Sequence, residues 1–321
     1  MKAGYIQLLS SAGLSGAALF IPNMLRDDLG ANTMEIGLIT AAFNLALFAS
    51  SFFFGRASDV HGRKLYLQGG LALTSIALFL LVFVDSKESI AVVRILIGLC
   101  AGIYPAAMLA YVYESEGKIG KFTAFGSLGF GIGNFVAGVI AIYYQIFMVS
   151  GLMLLFAYIL SLRLTFSGQT MHKVPLFPAY IIKHNFPVYV SIMFRHIGAN
   201  MIWVVYPLFL ADLGASAVFI GFIYGINAVG QYVFMRFIDR FKTYHLVMAG
   251  FVFSILTFPS YTLATTPEQI IPMQVSIAAA WSCLYVGSIK YLMERNEEKG
   301  TSSGLLQSFL SISAIIGALA G

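Results

Sequence analysis

Along the chain, apolar residues fall in blocks of about twenty, and the polar residues between them come in short clusters. A soluble helix or strand mixes the two kinds at a period of about 3.6 or 2 residues. A helix that crosses roughly 30 Å of hydrocarbon at about 1.5 Å per residue needs about twenty apolar residues in a row. The pattern predicts eleven spans, over 4–25, 37–55, 66–84, 89–113, 122–144, 146–163, 187–210, 219–238, 244–264, 269–292 and 302–321. The expected fold class is an all-α polytopic membrane protein. No basic stretch and small-residue cleavage site frame the first block, so it is expected to remain a span.

Composition narrows this further. Of 321 residues, 59% are hydrophobic and 10% charged, against about 25% charged in a soluble domain, which excludes a cytosolic enzyme. The net charge of +5 resides in loops and helix ends and makes no basic face, so the expected partner is the lipid bilayer and not nucleic acid. Cys100 and Cys283 both lie in apolar blocks, leaving no disulfide framework, and neither a metal nor another cofactor is expected. Placing the amino terminus in the cytoplasm puts Lys2, Arg56, Arg63, Lys64, Lys118, Lys121, Arg163, Lys173, Lys183, Arg236, Arg240, Lys242, Lys290, Arg295 and Lys299 inside, and only Arg26 and Lys87 outside. The positive-inside rule therefore predicts that orientation. The stretch from Thr165 to Pro187 is the one connection long enough to join two bundles.

A repeat supports two halves. Pro22, Asp28-Leu29-Gly30-Ala31 and Ile36-Gly37 return as Pro207, Asp212-Leu213-Gly214-Ala215 and Ile220-Gly221, at an offset of 184 residues from Asp28 to Asp212. Asp59 has a looser echo in Asp239. Parallel repeats of this kind are one known transporter plan. The expected domains are a six-helix bundle over 1–164, a cytoplasmic linker over 165–186 and a second bundle of about five helices over 187–321. Because the repeat demands twelve spans, a twelfth is expected beyond Gly321.

The most specific motif follows the second span: Gly55-Arg56-Ala57-Ser58-Asp59-Val60-His61-Gly62-Arg63-Lys64. Gly55 permits close helix approach, Gly62 a tight turn, and Asp59 is placed to accept charge-assisted hydrogen bonds from guanidinium or helix-end amides. In the fourth span Arg94, Gly98 and Gly102 share one helix face. In the fifth, Gly120, Gly129, Gly133, Asn134, Ala137 and Gly138 make a glycine-rich face suited to close packing and small gating shifts. The first motif resembles the signature of the major facilitator superfamily at every key position. The fifth-span pattern resembles that superfamily's antiporter signature, with Asn134 where the signature has proline and Ala137 where it has glycine. The resemblance implies two pseudo-symmetric six-helix bundles and a clamp through Gly55, Asp59, Gly62, Arg63 and Lys64 that joins the cytoplasmic ends in the outward-open state. It points to the multidrug and small-solute exporter branch, working as a monomer in the cell membrane with protons as a possible coupling ion.

Charges within spans are the next candidates. Arg94 either snorkels to the surface or faces a central cavity, as the matching arginine does in proton-coupled members of the superfamily. Arg195 lies roughly 12 Å inside its span, a depth that favours a wet cavity or a partner. His196 either carries protons or is a hydrogen-bonded structural residue. Asn44, Asn134, Asn200, Asn227, Gln231, Gln274 and Gln307, with Tyr104, Trp203, Tyr224 and Trp281, are candidate solute contacts among which packing residues are expected. No carboxylate falls in the middle third of any span, so a neutral or anionic organic solute is expected over a cationic one.

The expected function is secondary transport of a small organic solute by alternating access, in the efflux direction. Uptake or uniport is the alternative, and a non-transporting receptor of the same architecture a further one. An intramembrane enzyme would need a nucleophile with its base, paired aspartates or a histidine-rich metal motif. The five histidines stand at no metal-ligand spacing.

Overall fold

The computed structural model describes residues 2–166 and 171–320. Residues 167–170, inside the expected linker, and the terminal Met1 and Gly321 lie outside that description. Among the described residues there is no strand. The helices are α1 (Lys2–Leu19), α2 (Ile21–Asp27), α3 (Thr33–His61), α4 (Arg63–Leu80), α5 (Lys87–Ala101), α6 (Tyr104–Ser115), α7 (Ile119–Ile140), α8 (Tyr143–Ser161), α9 (Ala179–His184), α10 (Phe186–Asp212), α11 (Ala217–Phe237), α12 (Thr243–Ser260), α13 (Ile270–Arg295) and α14 (Lys299–Ala320).

Each stretch expected to span lies on one of these helices or on a consecutive pair. Eight are long and apolar enough to cross a membrane, counting α1 with α2 and α5 with α6, and α10, bent by 44° between Trp203 and Val205, makes a ninth. The remaining two stretches are occupied by α11 and α14, of 21 and 22 residues. The first and fourth stretches, expected as single helices, are each broken. The breaks fall just before Pro22 and Pro105, each of which stands in the first turn of the helix that follows, where a missing N–H costs nothing. The linker, expected as a loop, contains α9.

The repeat is visible as local geometry. Gly30 and Gly214 both take positive φ, +64° and +88°, a backbone region that penalises any Cβ. Two residues later Asn32 and Ser216 cap the next helix through their side chains, accepting from the backbone N–H of Glu35 at 2.9 Å and of Phe219 at 3.2 Å. Glu35 answers by accepting from Asn32 N–H at 2.8 Å, closing a capping box.

Helices α1 to α8 pack mainly on one another: α1 on α7 and α8, α4 on α5, α6 and α8, and α3 on α5 and α6. Helices α10 to α14 form a second set, with α10 on α14 and α13 on α11 and α12. The sets meet along α3 with α14 and α7 with α11, and α6 also reaches α14. Leu67, Leu71, Leu78, Met108 and Phe147 are fully buried in the first set; Tyr206, Leu210, Ile223, Tyr261 and Ile270 form a core in the second. Large apolar side chains point outward all along the spans, among them Phe135 at 73% and Ile255 at 68% exposure. In water such a surface would aggregate, whereas against lipid tails it carries no penalty.

Close helix approach depends on glycine. A Cβ on Gly129 or Gly133 would overlap the carbonyl oxygens of Leu8 or Ala12, so α7 and α1 touch backbone to backbone. Gly98 of α5 likewise meets the Phe43 carbonyl of α3, and Gly102, just past the end of α5, meets the Ser50 side chain. Gly138, expected to pack or gate, is different: a Cβ there meets nothing within 4 Å, because it lies on an exposed face of α7 beyond the contact with α1.

Candidate functional site

The motif after α3 is a junction between the two helix sets. Gly62 takes φ +89° and turns α3 into α4, which brings Arg63 back beside Asp59. Asp59 is 1% exposed. Its carboxylate accepts from Gly300 N–H at 2.9 Å, Thr301 N–H at 2.6 Å and Thr301 Oγ1 at 2.7 Å, all in the first turn of α14. A buried anion thus satisfies N–H groups that no helix can pair internally, at the positive end of the helix dipole. Arg63, also buried, lies 3.5 Å from Asp59 and 2.6 Å from Glu114. A Cβ on Gly55 would overlap Gly304 and Gly300, so the two helices cross at glycines. Lys64 is exposed.

The echo residue has the reciprocal contact. Asp239, in the turn after α11, accepts from Gly120 N–H at 2.8 Å and Lys121 N–H at 3.1 Å, at the start of α7. Each set therefore supplies an aspartate to a helix N-terminus of the other. Hydrogen bonds between the sets continue inward through Ser127 to Gln231 at 3.0 Å and Ser308 to the Phe48 carbonyl at 3.1 Å.

The linker lies over this end. His172 N–H donates to the Asp59 carbonyl at 2.9 Å, and Arg56 Nε to the carbonyls of Val174 and Pro175 at 2.9 and 2.8 Å. Tyr180 donates to Glu298 at 2.6 Å. Partial burial, and then that carboxylate, hold the phenol above its usual titration range, so it stays a donor.

Above the junction the sets part around a cavity of about 650 Å³, walled by α1, α3 and α7 on one side and by α10, α11, α13 and α14 on the other. That volume lies in the range of small-molecule sites, roughly 300–1,000 Å³. Of the residues singled out in the sequence, Asn44, Arg195, His196, Asn200, Trp203, Asn227 and Gln231 line it, as do Gln307, Tyr224 and Trp281. Asn227 and Gln231 hydrogen-bond each other at 2.7 Å and, through Ser127, tie α11 to α7.

Arg94, Asn134, Tyr104 and Gln274 do not line the cavity. Arg94 shares its helix face with Gly98 and Gly102, and that face packs on α3. Its guanidinium sits 3.8 Å from the Phe43 ring centroid, and the residue is 8% exposed, so it is packed under α3 and does not reach the surface. Asn134 is half-buried on α7. Gln274 is enclosed, donating to Tyr206 and Tyr261.

Several lining residues had no signal in the sequence: Gln7, Ser11, Ser127, Tyr285 and Ser311, and behind the wall Ser254, which accepts from Arg195 Nε at 3.1 Å. Short polar residues in apolar helices look alike whether they face a neighbouring carbonyl or a cavity.

Two sets of membrane-length helices, joined at one end and parted around a polar and aromatic cavity, define a solute carrier. Residues 4–183 match the family model of the Major Facilitator Superfamily, and the chain belongs to that family of multi-pass membrane transporters. It is 26% identical over 320 residues to an uncharacterized MFS-type transporter, MJ1560, of Methanocaldococcus jannaschii, covering 91% of this chain and 82% of that one. It is 26% identical over 325 residues to the quinolone resistance protein NorA of Staphylococcus aureus, covering 91% and 81%. The fold is shared with the human organic anion transporter MFSD10, at a TM-score of 0.75 and 14% identity over 99% of this chain and 91% of that one. It is also shared with the nucleoside transporter NupG, at 0.70 and 12%, over 99% and 90%.

Proposed function

We propose that the chain is an exporter of small neutral or anionic organic solutes, working by alternating access as a monomer in the cell membrane. The amino terminus and the 55–64 loop face the cytoplasm, where the cations of the loops gather. The observation that carries this reading is a cavity with walls from both helix sets whose cytoplasmic end is shut by Asp59 and Asp239, each on a helix N-terminus of the opposite set. Charge-assisted bonds of this kind hold one conformation, break when the sets rock apart at this end and re-form when they close. Export is favoured by the likeness to a quinolone resistance protein.

Everted membrane vesicles from cells producing the chain test the direction. Energised vesicles are expected to accumulate a quinolone or an organic anion above vesicles lacking the chain, and accumulation that collapses with the imposed pH gradient identifies protons as the counter-ion. Equal accumulation with and without the chain, across anionic and neutral solutes, contradicts export.

A further inference from the structure

The charge balance of the cavity is uneven. Among the described residues, no Asp, Glu or Lys lines it, and Arg195 is the lining residue with a fixed charge. A guanidinium offers five N–H donors in a plane. Ser254 takes the one on Nε, while Nη2 is shut off from solvent with no hydrogen-bond partner. The neighbours of its central carbon are rings, with Phe258 at 5.2 Å and Trp281 at 5.4 Å to the centroids. Beside it His196 Nδ1 is likewise buried and unpartnered. A cation enclosed by rings with donors to spare is costly alone, and a planar anion that accepts two N–H groups offsets that cost.

The rest of the wall is aromatic. His196 stacks on Trp281 at 5.0 Å and Trp281 on Tyr285 at 5.0 Å, and Trp203 leans on Tyr224 at 6.0 Å. An aromatic body adds edge-to-face and offset-stacked contacts to these rings that an aliphatic one cannot make. A second anionic group would find only side-chain amides and hydroxyls, and a cationic amine would find no carboxylate. Resting on the cavity being the transport site, we infer that the solute is an aromatic monocarboxylate, held with its carboxylate on Arg195 and its ring against Trp203 and Trp281.

The chain has two tryptophans, Trp203 and Trp281, and both line the cavity, so intrinsic emission reads occupancy directly. The purified full chain is titrated with 3-nitrobenzoate and with the isosteric neutral 3-nitrobenzamide, both quenchers. Saturable quenching is expected for the carboxylate, at least about tenfold tighter than for the amide. Cyclohexanecarboxylate is expected to displace 3-nitrobenzoate only at concentrations at least about tenfold higher than benzoate needs. Arg195→Gln should erase the preference for the carboxylate, and Arg195→Lys, which keeps the charge but not the planar fork, should retain part of it.

Equal affinity of the unmodified chain for acid and amide overturns the inference, as does a preference that survives Arg195→Gln. Equal displacement by the saturated acid overturns its aromatic half. Flux of neutral or cationic solutes without any preference for 3-nitrobenzoate overturns the substrate class alone. An Arg195-dependent preference in a chain that moves no solute overturns the transport reading alone.

Discussion

Asp59 concentrates the chemistry of the closed end in one side chain. A carboxylate removed from water is tolerable only if its oxygens are met by strong donors, and here two backbone N–H groups, a hydroxyl and the nearby Arg63 guanidinium do so. Asp59→Asn keeps the shape but removes the charge and turns an –NH2 toward N–H donors. Each hydrogen bond to a charged group contributes about 1.5–3 kcal/mol, so the state with α3 joined to α14 loses at least that much relative to the open one. Turnover per inserted protein is expected to fall at least about tenfold, with yield and monodispersity kept, because the contact the carboxylate makes within its own set is the longer one, 3.5 Å to Arg63, which keeps Glu114 at 2.6 Å. Wild-type turnover in flux assays would refute the role of the junction. The motif was legible in the sequence because its spacing is confined to a single loop. Its receptor was not: Thr301 lies 242 residues away, and a helix N-terminus presents backbone, which has no side-chain signature. The two arginines within spans, Arg94 and Arg195, show a related limit. Depth along a span left Arg94 between the surface and a cavity and gave Arg195 a wet cavity or a partner, yet Arg94 lies under Phe43 while Arg195 opens on the cavity, because depth says nothing about which face of the helix a residue occupies.

At the scale of helices, packing turns on a few glycines with unequal roles. Gly133 lets α7 lie against the Ala12 carbonyl of α1, and a Cβ there has nowhere to go because it would overlap that backbone carbonyl and the Ser15 hydroxyl. Gly133→Ala is expected to cost about 1–3 kcal/mol as overpacking and to lower the midpoint of thermal unfolding in detergent. Gly138→Ala meets open space and is expected to be neutral or to stabilise by up to about 1 kcal/mol through helix propensity. Equal melting of the two variants would contradict the assigned packing. The helices themselves were readable from apolar run length, since a run of about twenty has no other stable use. The breaks before α2 and α6 were not, because hydropathy runs across them without interruption; Pro22 and Pro105 were the available signal. The short α9 escaped for the opposite reason, being only six residues long, too short for a periodic pattern, and held by Ile181 in the core and by Tyr180 on Glu298.

At the scale of the molecule, two helix sets share a cavity and are joined at the end where Asp59 and Asp239 sit. Asp59 on α14 and Asp239 on α7 are reciprocal contacts, and the matching turns at Gly30 and Gly214 with their caps at Asn32 and Ser216 show that the repeat extends to backbone conformation. A repeat of this kind permits one set to rock against the other with little change inside either. The central claim, that the cavity is exposed to each side of the membrane in turn, is tested most directly by solute counterflow in proteoliposomes. Vesicles are loaded with excess unlabelled solute and diluted into a trace of the labelled form, with no other gradient, across a panel of anionic, neutral and cationic aromatic solutes. A carrier must return loaded as readily as it left, so a transient accumulation of label above its equilibrium level is expected for at least one anionic member, and it is expected to be lost in Asp59→Asn. Simple equilibration at the rate of protein-free vesicles for every solute, with no overshoot, would contradict alternating access through this cavity.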